Sequence, residues 1–186
     1  MPFDLAIHTP RLLLRPLQRG DEGALLAVFG DPEAMRYWST PPWPDASPGR
    51  QMIETDLAAG PDADWVRLGL VRHDGDELVG TCTLFDHCTH SRRAEIGYAL
   101  ARRAWGQGLM HEALTALLDH GFERWDLNRV EADIDPRNQA SARTLERLGF
   151  RVEGLLRERW IVAGEVSDSA LYGLLRRDWR ARLATR

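Results

Sequence analysis

At 186 residues, 44% hydrophobic and 28% charged, the chain is long enough for one α/β domain with its own core. A formal net charge of −4 disfavours a nucleic-acid binder held by overall positive charge. Two cysteines, Cys82 and Cys88, make no disulfide framework and favour a reducing cytoplasm. The first ten residues, MPFDLAIHTP, lack the basic region and apolar core of a secretory signal, and no apolar run approaches the ~18 residues of a membrane span.

In chain order, Ile7 to Leu17 reads as an edge strand limited by Pro10 and Pro16. Asp21 is placed to cap a helix through Phe29, and Asp31-Pro32-Glu33 to restart one through Trp38. Residues 39–48 hold four prolines and are a connection. Around it cluster Tyr37, Trp38 and Trp43, which either line a pocket or pack in the core. Arg50 to Ala59 suits a second helix. Trp65–Val71 and Glu77–Phe85 suit two strands turned at Asp74-Gly75, followed by a polar loop from Asp86 to Arg93. His87, Cys88 and His90 in that loop match no common zinc spacing, so no metal is expected.

The stretch from Ala94 to Arg124 organises the rest. Ile96, Tyr98 and Leu100 alternate as in a strand, and Met110, Ala113, Leu114, Leu117, Leu118 and Phe122 recur at helical spacing. Between them lies Arg103-Ala-Trp-Gly106-Gln107-Gly108. Two glycines before a helix gather backbone N–H groups at the positive end of the helix dipole, which is an anion site. The loop is neither the GxxxxGK[ST] phosphate loop nor GxGxxG. Arg129 to Ile134 is a strand, Asp135 to Asn138 a loop, and Gln139 to Leu148 a helix ended by Gly149. Phe150–Trp160 and Val166–Leu175 form a closing hairpin turned at Ala163-Gly164, and Arg177 to Leu183 a short helix. Strands and helices in this order imply a mixed central sheet flanked by helices.

Arg103-x-x-Gly106-x-Gly108 after a strand resembles the pyrophosphate loop of the Gcn5-related N-acetyltransferases (GNAT). Asn138-x-x-Ser141-x-x-x-Leu145-x-x-x-Gly149-Phe150 resembles the second signature of that family, in the right order and at the right distance. Thr9-Pro10-Arg11-Leu12-Leu13-Leu14-Arg15 and Asp168-x-x-Leu171-Tyr172 are similar to the RimJ/RimL-type branch, which acetylates ribosomal-protein N-termini and has relatives acting on polyamines, antibiotics and small metabolites. The resemblance implies the GNAT fold, an α/β (α+β) architecture in one domain over residues 1–186. It implies acetyl-CoA as co-substrate, and it leaves a homodimer open. Pantetheine would enter a gap between splayed strands at 94–101 and 129–134. Its amides would pair with backbone groups near Tyr98, Ala99 and Leu100, and the pyrophosphate would lie on Arg103, Gly106, Gln107, Gly108, Leu109 and Met110. Asn138 and Ser141 would sit across the gap near the thiol.

The implied chemistry is direct attack of an amine on the acetyl thioester. Glu95 on the central strand is the candidate base, acting through a water, and backbone N–H groups near Tyr98 and Ala99 are the candidate oxyanion donors. Many GNAT members protonate the thiolate with a tyrosine seven residues after the signature asparagine. Here that position is Leu145, so Ser141 is the candidate acid, with Tyr172 second. Two other classes compete: a non-catalytic acyl-CoA-binding module, and a nucleic-acid-associated regulator, which the acidic balance disfavours. Among acceptors a peptide N-terminus is favoured over a small-molecule amine. Asp62, Asp64 and Asp74 to Glu77 are a weak hint of a polyamine groove.

Overall fold

The computed structural model describes residues 5–59 and 63–183; Asp62 and the first four residues of the stretch examined for a signal lie outside them. Eight strands form one sheet in the order β1-β2-β3-β4-β5-β6-β8-β7. They are β1 (Ile7–His8), β2 (Leu12–Arg15), β3 (Val66–Arg72), β4 (Leu78–Cys88), β5 (Arg93–Leu100), β6 (Arg129–Ile134), β7 (Arg151–Val162) and β8 (Glu165–Leu175). Every neighbouring pair is antiparallel except β5 and β6, which are parallel. Five helices flank the sheet: α1 (Glu22–Phe29), α2 (Ser47–Ala58), α3 (Leu109–Arg124), α4 (Gln139–Leu148) and α5 (Arg176–Leu183). Among the described residues no helix is long and apolar enough to cross a membrane.

Strand alternation divides the core between the two faces. On one face Leu12, Leu14, Leu68, Leu84, Ala94, Ile96 and Val130 meet Leu114, Leu117 and Leu118 of α3 and Leu145 and Leu148 of α4. Leu17, Val71, Leu78, Ala99 and Ala101 meet Leu25, Val28 and Phe29 of α1 and Ile53 of α2 in a second cluster. α3 lies close to the sheet at Gly121, where a Cβ would stand 2.7 Å from Leu84 Cδ1. α5 closes the first face through Trp179, whose Nε1 donates to Asp119 at 2.8 Å and whose ring stacks on Phe122.

Four boundaries differ from the sequence reading, each for a local reason. The first strand is two short ones, because the Thr9 amide donates to the Leu12 carbonyl at 2.9 Å, the Leu12 amide donates back to Thr9 Oγ1 at 3.0 Å, and the chain turns at Pro10. No helix forms over 31–38. Asp31 Oδ1 accepts from the Glu33 and Ala34 amides at 2.8 and 3.2 Å, and the turns it starts run into Pro41-Pro42. α2 begins three residues early at Ser47, whose amide donates to Asp45 Oδ1 at 2.7 Å, with Pro48 in the first turn. β4 runs on through Asp86, His87 and Cys88, past a bulge between Phe85 and Cys88 where Asp86 takes a φ of 51°. His87 of that extension stacks on Trp125 at 4.5 Å.

Trp38 and Trp43 pack on Phe29, at ring separations of 5.5 and 4.6 Å, and lie against the α1–α2 cluster. Truncation of Trp38 removes its edge contact with Phe29 and leaves the Phe29–Trp43 stack. Trp38→Ala is therefore expected to lower stability by about 2 kcal/mol, less than a fully buried Trp because the ring is half-buried. For a domain of this size that is a fall of about 4–8 °C in melting temperature. Calorimetric melting measures it, and a second titration should find CoA affinity unchanged.

Candidate active site

β5 pairs with β4 along its whole length but with β6 only over Arg93–Glu95 opposite Arg129–Glu131. Beyond Glu95 the two parallel strands part, while β6 keeps its pairing with β8 as far as Ile134. The backbone of β5 from Ile96 onward thus lacks a strand partner on its β6 side. Such groups need hydrogen bonds from elsewhere, and an amide-bearing chain lying in the gap can supply them. The gap opens at the carboxyl ends of two neighbouring parallel strands, where open α/β sheets bind ligands.

β5 leads into the glycine loop. A 3₁₀ turn at Arg102–Ala104 is followed by Gly106 (φ 72°) and Gly108 (φ 73°), the latter capping the sixteen-residue α3. Both glycines are left-handed, which a side chain strongly disfavours. A Cβ at Gly106 would meet nothing within 4 Å, so the loop's outer surface is open. The loop is clamped from the far end of the chain. The Arg11 amide and Nε donate to Glu112 at 2.8 and 2.7 Å, and Arg11 Nη1 donates to the Gln107 carbonyl at 2.7 Å. The one Thr9 hydroxyl proton goes to Glu112, at 2.6 Å, while Thr9 Oγ1 accepts from the Leu12 amide. Burial alone would raise the Glu112 carboxyl, but Thr9 and Arg11 outweigh it and hold it below its ordinary value. Arg103, expected on the pyrophosphate, gives Nε and Nη2 to Glu77 at 2.9 and 2.6 Å, while Gln107 Nε2 donates to the Arg103 carbonyl at 3.0 Å. Thr9, Arg11 and Glu112 were not among the residues that sequence reasoning gave to the site; only the Thr9-Pro10-Arg11 resemblance hinted at two of them.

Across the gap, Asn138 caps α4, its Oδ1 accepting from the Ser141 amide at 3.1 Å. The Asn138 carbonyl-bearing side chain therefore serves the helix. Ser141 is 8% exposed, and its Oγ lies 2.6 Å from the Tyr98 hydroxyl, a hydrogen bond that joins the two arms of the gap. Leu145 is fully buried in the core. Tyr172 is also buried, on β8 opposite Ala132.

Glu95 is in register with Glu131 on β6 and Phe85 on β4, at the last residue before the strands part. Burial, reinforced by the charges of Asp86, Glu131 and Asp133 and opposed by Arg93, raises its carboxyl above the ordinary value. That is the shift a general base needs to work near neutrality. Glu95 and Ala99 point to the α1–α2 face, whereas Ile96 and Tyr98 point to the α3–α4 face. A carboxyl and a hydroxyl pair thus flank the gap from opposite sides of one strand, about 10 Å apart along it.

Of the three aromatic residues expected near the substrate, Trp38 and Trp43 pack on the cluster that includes Ala99 and Ala101, and Tyr37 lies beside the loop that follows β6. Its ring lies 5.8 Å from the Arg137 guanidinium, and Arg137 is tied to Asp135 and Glu165 at 2.6 Å each. Of the acidic residues at 74–77, Asp74 is engaged with Arg72 and Glu77 with Arg103.

A splayed parallel pair and a glycine loop capping a long helix, with a raised carboxyl beside the splay, are the architecture of an acyl-CoA-dependent N-acyltransferase. The chain belongs to the GNAT family, since the model of the acetyltransferase (GNAT) domain matches residues 11–151. It is 37% identical over 175 residues to an uncharacterized N-acetyltransferase of Bacillus licheniformis, covering 93% of this chain and 97% of that one. It is 32% identical over 112 residues to the [ribosomal protein uS5]-alanine N-acetyltransferase of Escherichia coli, covering 60% of this chain and 58% of that one. The fold matches spermidine N-acetyltransferase from Vibrio cholerae, solved with CoA and spermine. The TM-score is 0.82 at 22% identity, over 92% of this chain and 99% of that one. The protein is an N-acetyltransferase, and the fold it shares binds acetyl-CoA.

Proposed function

We propose that the protein moves the acetyl group of acetyl-CoA directly to the amino terminus of a protein or peptide, within a ternary complex. The observation that carries the direct route is the placement of Glu95 and of Ser141 with Tyr98 on opposite faces of β5 at the splay. One face takes a proton from the attacking amine, and the other gives one to the departing sulfur. Neither cysteine suits a covalent intermediate. Cys82 is fully buried and burial pushes its thiol up, while Cys88 pairs with Arg93 at the far end of β5 from the glycine loop.

Acetyl-CoA supplies the activated acyl group. Gly106, Gln107, Gly108 and the first amides of α3 (Leu109, Met110) would hold its pyrophosphate. The open backbone of Tyr98, Ala99 and Leu100 would pair with its pantetheine arm and supply the oxyanion donor.

An α-amine with a pKa near 8 is neutral in about a tenth of molecules at pH 7, whereas a lysine-like amine is neutral in about one in 10³. A single strand carboxylate suits the first better. The relative acting on the alanine of a ribosomal protein and the Tyr37 ring beside the loop that follows β6 support the same choice. A polyamine is the second reading, favoured by the carboxylates of Asp86, Glu131 and Asp133 around Glu95. The discriminating measurement is kcat/KM for a short peptide with a free Ala or Ser terminus against spermidine at matched pH. The peptide is expected to lead; a spermidine preference of about tenfold, or 1.4 kcal/mol in transition-state binding, would replace the peptide reading.

A second copy of the chain fits the β7–β8 hairpin. β7 ends the sheet, and it and β8 carry Val152, Leu155, Ile161 and Val166 at 59, 56, 72 and 50% exposure. A long apolar edge strand invites another strand. Its charges alternate in sign along Arg151, Glu153, Arg157, Glu158 and Arg159. Sedimentation should find a dimer that Leu155→Arg converts to a folded monomer; a wild-type monomer at micromolar concentration would remove the proposal.

A further inference from the structure

We propose that Tyr98 and Ser141 act as one proton-donating pair in which Tyr98, as a positioning residue, turns the serine proton toward the leaving sulfur. The proposal rests on the direct-transfer reading above and deepens it by naming what replaces the acid missing at Leu145.

α4 offers no phenol at the gap, since Leu145 is in the core. β5 supplies one instead. Tyr98 lies three residues beyond Glu95 and on the opposite face of the strand, so its hydroxyl arrives on the departure side. The 2.6 Å bond to Ser141 Oγ is at the short end for two hydroxyls. Other helical hydroxyls of this chain serve their own helices: Thr55 donates to Gln51, Thr115 to His111 and Thr144 to Ala140. Ser141 reaches across the gap instead.

Two hydroxyls sharing one hydrogen bond leave one proton for a third group. The phenol is the more acidic of the two, so it donates to Ser141 Oγ, and the serine proton is the one left over. Burial raises the Tyr98 hydroxyl above its ordinary range; the Ser141 bond opposes that rise and the neighbouring Tyr172 adds to it. Tyr98 is therefore a neutral donor throughout the working pH range. As the C–S bond breaks, its electron pair stays on sulfur. The Ser141 proton passes to sulfur and is replaced in the same step from water, while the Tyr98 proton stays in its bond to Ser141 Oγ and fixes the direction of the transfer. The proton lost by the amine leaves through Glu95 on the other face.

Tyr98→Phe removes one oxygen and keeps the ring. It is expected to lower kcat about ten- to a hundredfold with KM for acetyl-CoA within about twofold and the melting temperature unchanged. Ser141→Ala should do the same. The double variant should be no slower than the slower single one, because residues acting as a unit do not add. Losses that multiply, or an unchanged kcat in Tyr98→Phe, would overturn the pairing. A second readout needs no acceptor. The thiolate of bound CoA is followed by its ultraviolet absorption as pH is raised. The pair should hold the thiol pKa of bound CoA lower in wild type than in Tyr98→Phe or Ser141→Ala. Equal values in all three would overturn the proposal even if no acceptor has been found, and a lowered value with no acetyl transfer would count against the direct-transfer reading alone.

Discussion

Replacing Glu95 with Gln is expected to lower kcat/KM by about a hundred- to ten-thousandfold while raising the melting temperature at pH 7. The two effects have one cause. The Glu95 carboxyl is raised by burial and by Asp86, Glu131 and Asp133, with Arg93 opposing. A carboxyl whose pKa is higher folded than unfolded contributes stability that is complete below the unfolded value. That contribution is lost as pH rises through the folded one. At pH 7 the ionised group is therefore a local cost to the fold, which Gln removes along with the base. The acid limb of kcat/KM should fall above the ordinary carboxylate range in wild type and vanish in Glu95→Gln. Asp86→Asn should move the limb to lower pH, because a repelling charge is gone. Asn is the fitting replacement, since it tolerates the φ of 51° found at Asp86. Kinetics across pH together with melting curves measure all of this. A Glu95→Gln enzyme with undiminished turnover would leave the carboxylate as a strand residue only.

Gly108→Asp is expected to weaken CoA binding about a hundredfold or more, some 2.7 kcal/mol. Gly108 caps α3 with a φ of 73° and stands where the first helical amides converge. A carboxylate there brings negative charge against the pyrophosphate and can itself accept the amides that should bind it. The new Cβ would lie 3.6 Å from Arg11 Nη2, which offers the carboxylate a partner and further masks the site's positive charge. Because Arg11 also holds Glu112 and Gln107, melting should be followed beside calorimetric titration with CoA. Equal affinity in both proteins would remove the glycine loop from the binding site.

What the sequence made legible was local. The run from Ala94 to Arg124 carries strand and helix periods and a glycine pair within about thirty residues. Its strand, loop and helix therefore read directly. The Asn138 cap and the Gly149 end of α4 are equally short-range. Glu95 could be picked out as a strand carboxylate, but its raised pKa depends on Asp86, Glu131 and Asp133, which β4 and β6 bring to it from either side of β5. The clamp of Thr9 and Arg11 on Glu112 joins residues about a hundred apart, so no period or spacing announces it. The same is true of Tyr98 and Ser141, one on a strand and the other on a helix. The failed helix at 31–38 shows a cap without a sequel: Asp31 satisfies its amides, but no apolar stripe follows before Pro41-Pro42. The contacts of Trp38 and Trp43 with Phe29 were not legible in composition, because α1 supplies Phe29.

The most direct test of acetyl transfer without a covalent enzyme intermediate is the initial-velocity pattern with acetyl-CoA and a peptide amine varied together. Direct attack in a ternary complex predicts double-reciprocal lines that intersect, and no acetyl group left on the protein after acetyl-CoA alone is added and removed. Parallel lines, with an acetylated protein that then acetylates the amine, would contradict the assignment of Glu95, Tyr98 and Ser141 to a single concerted site.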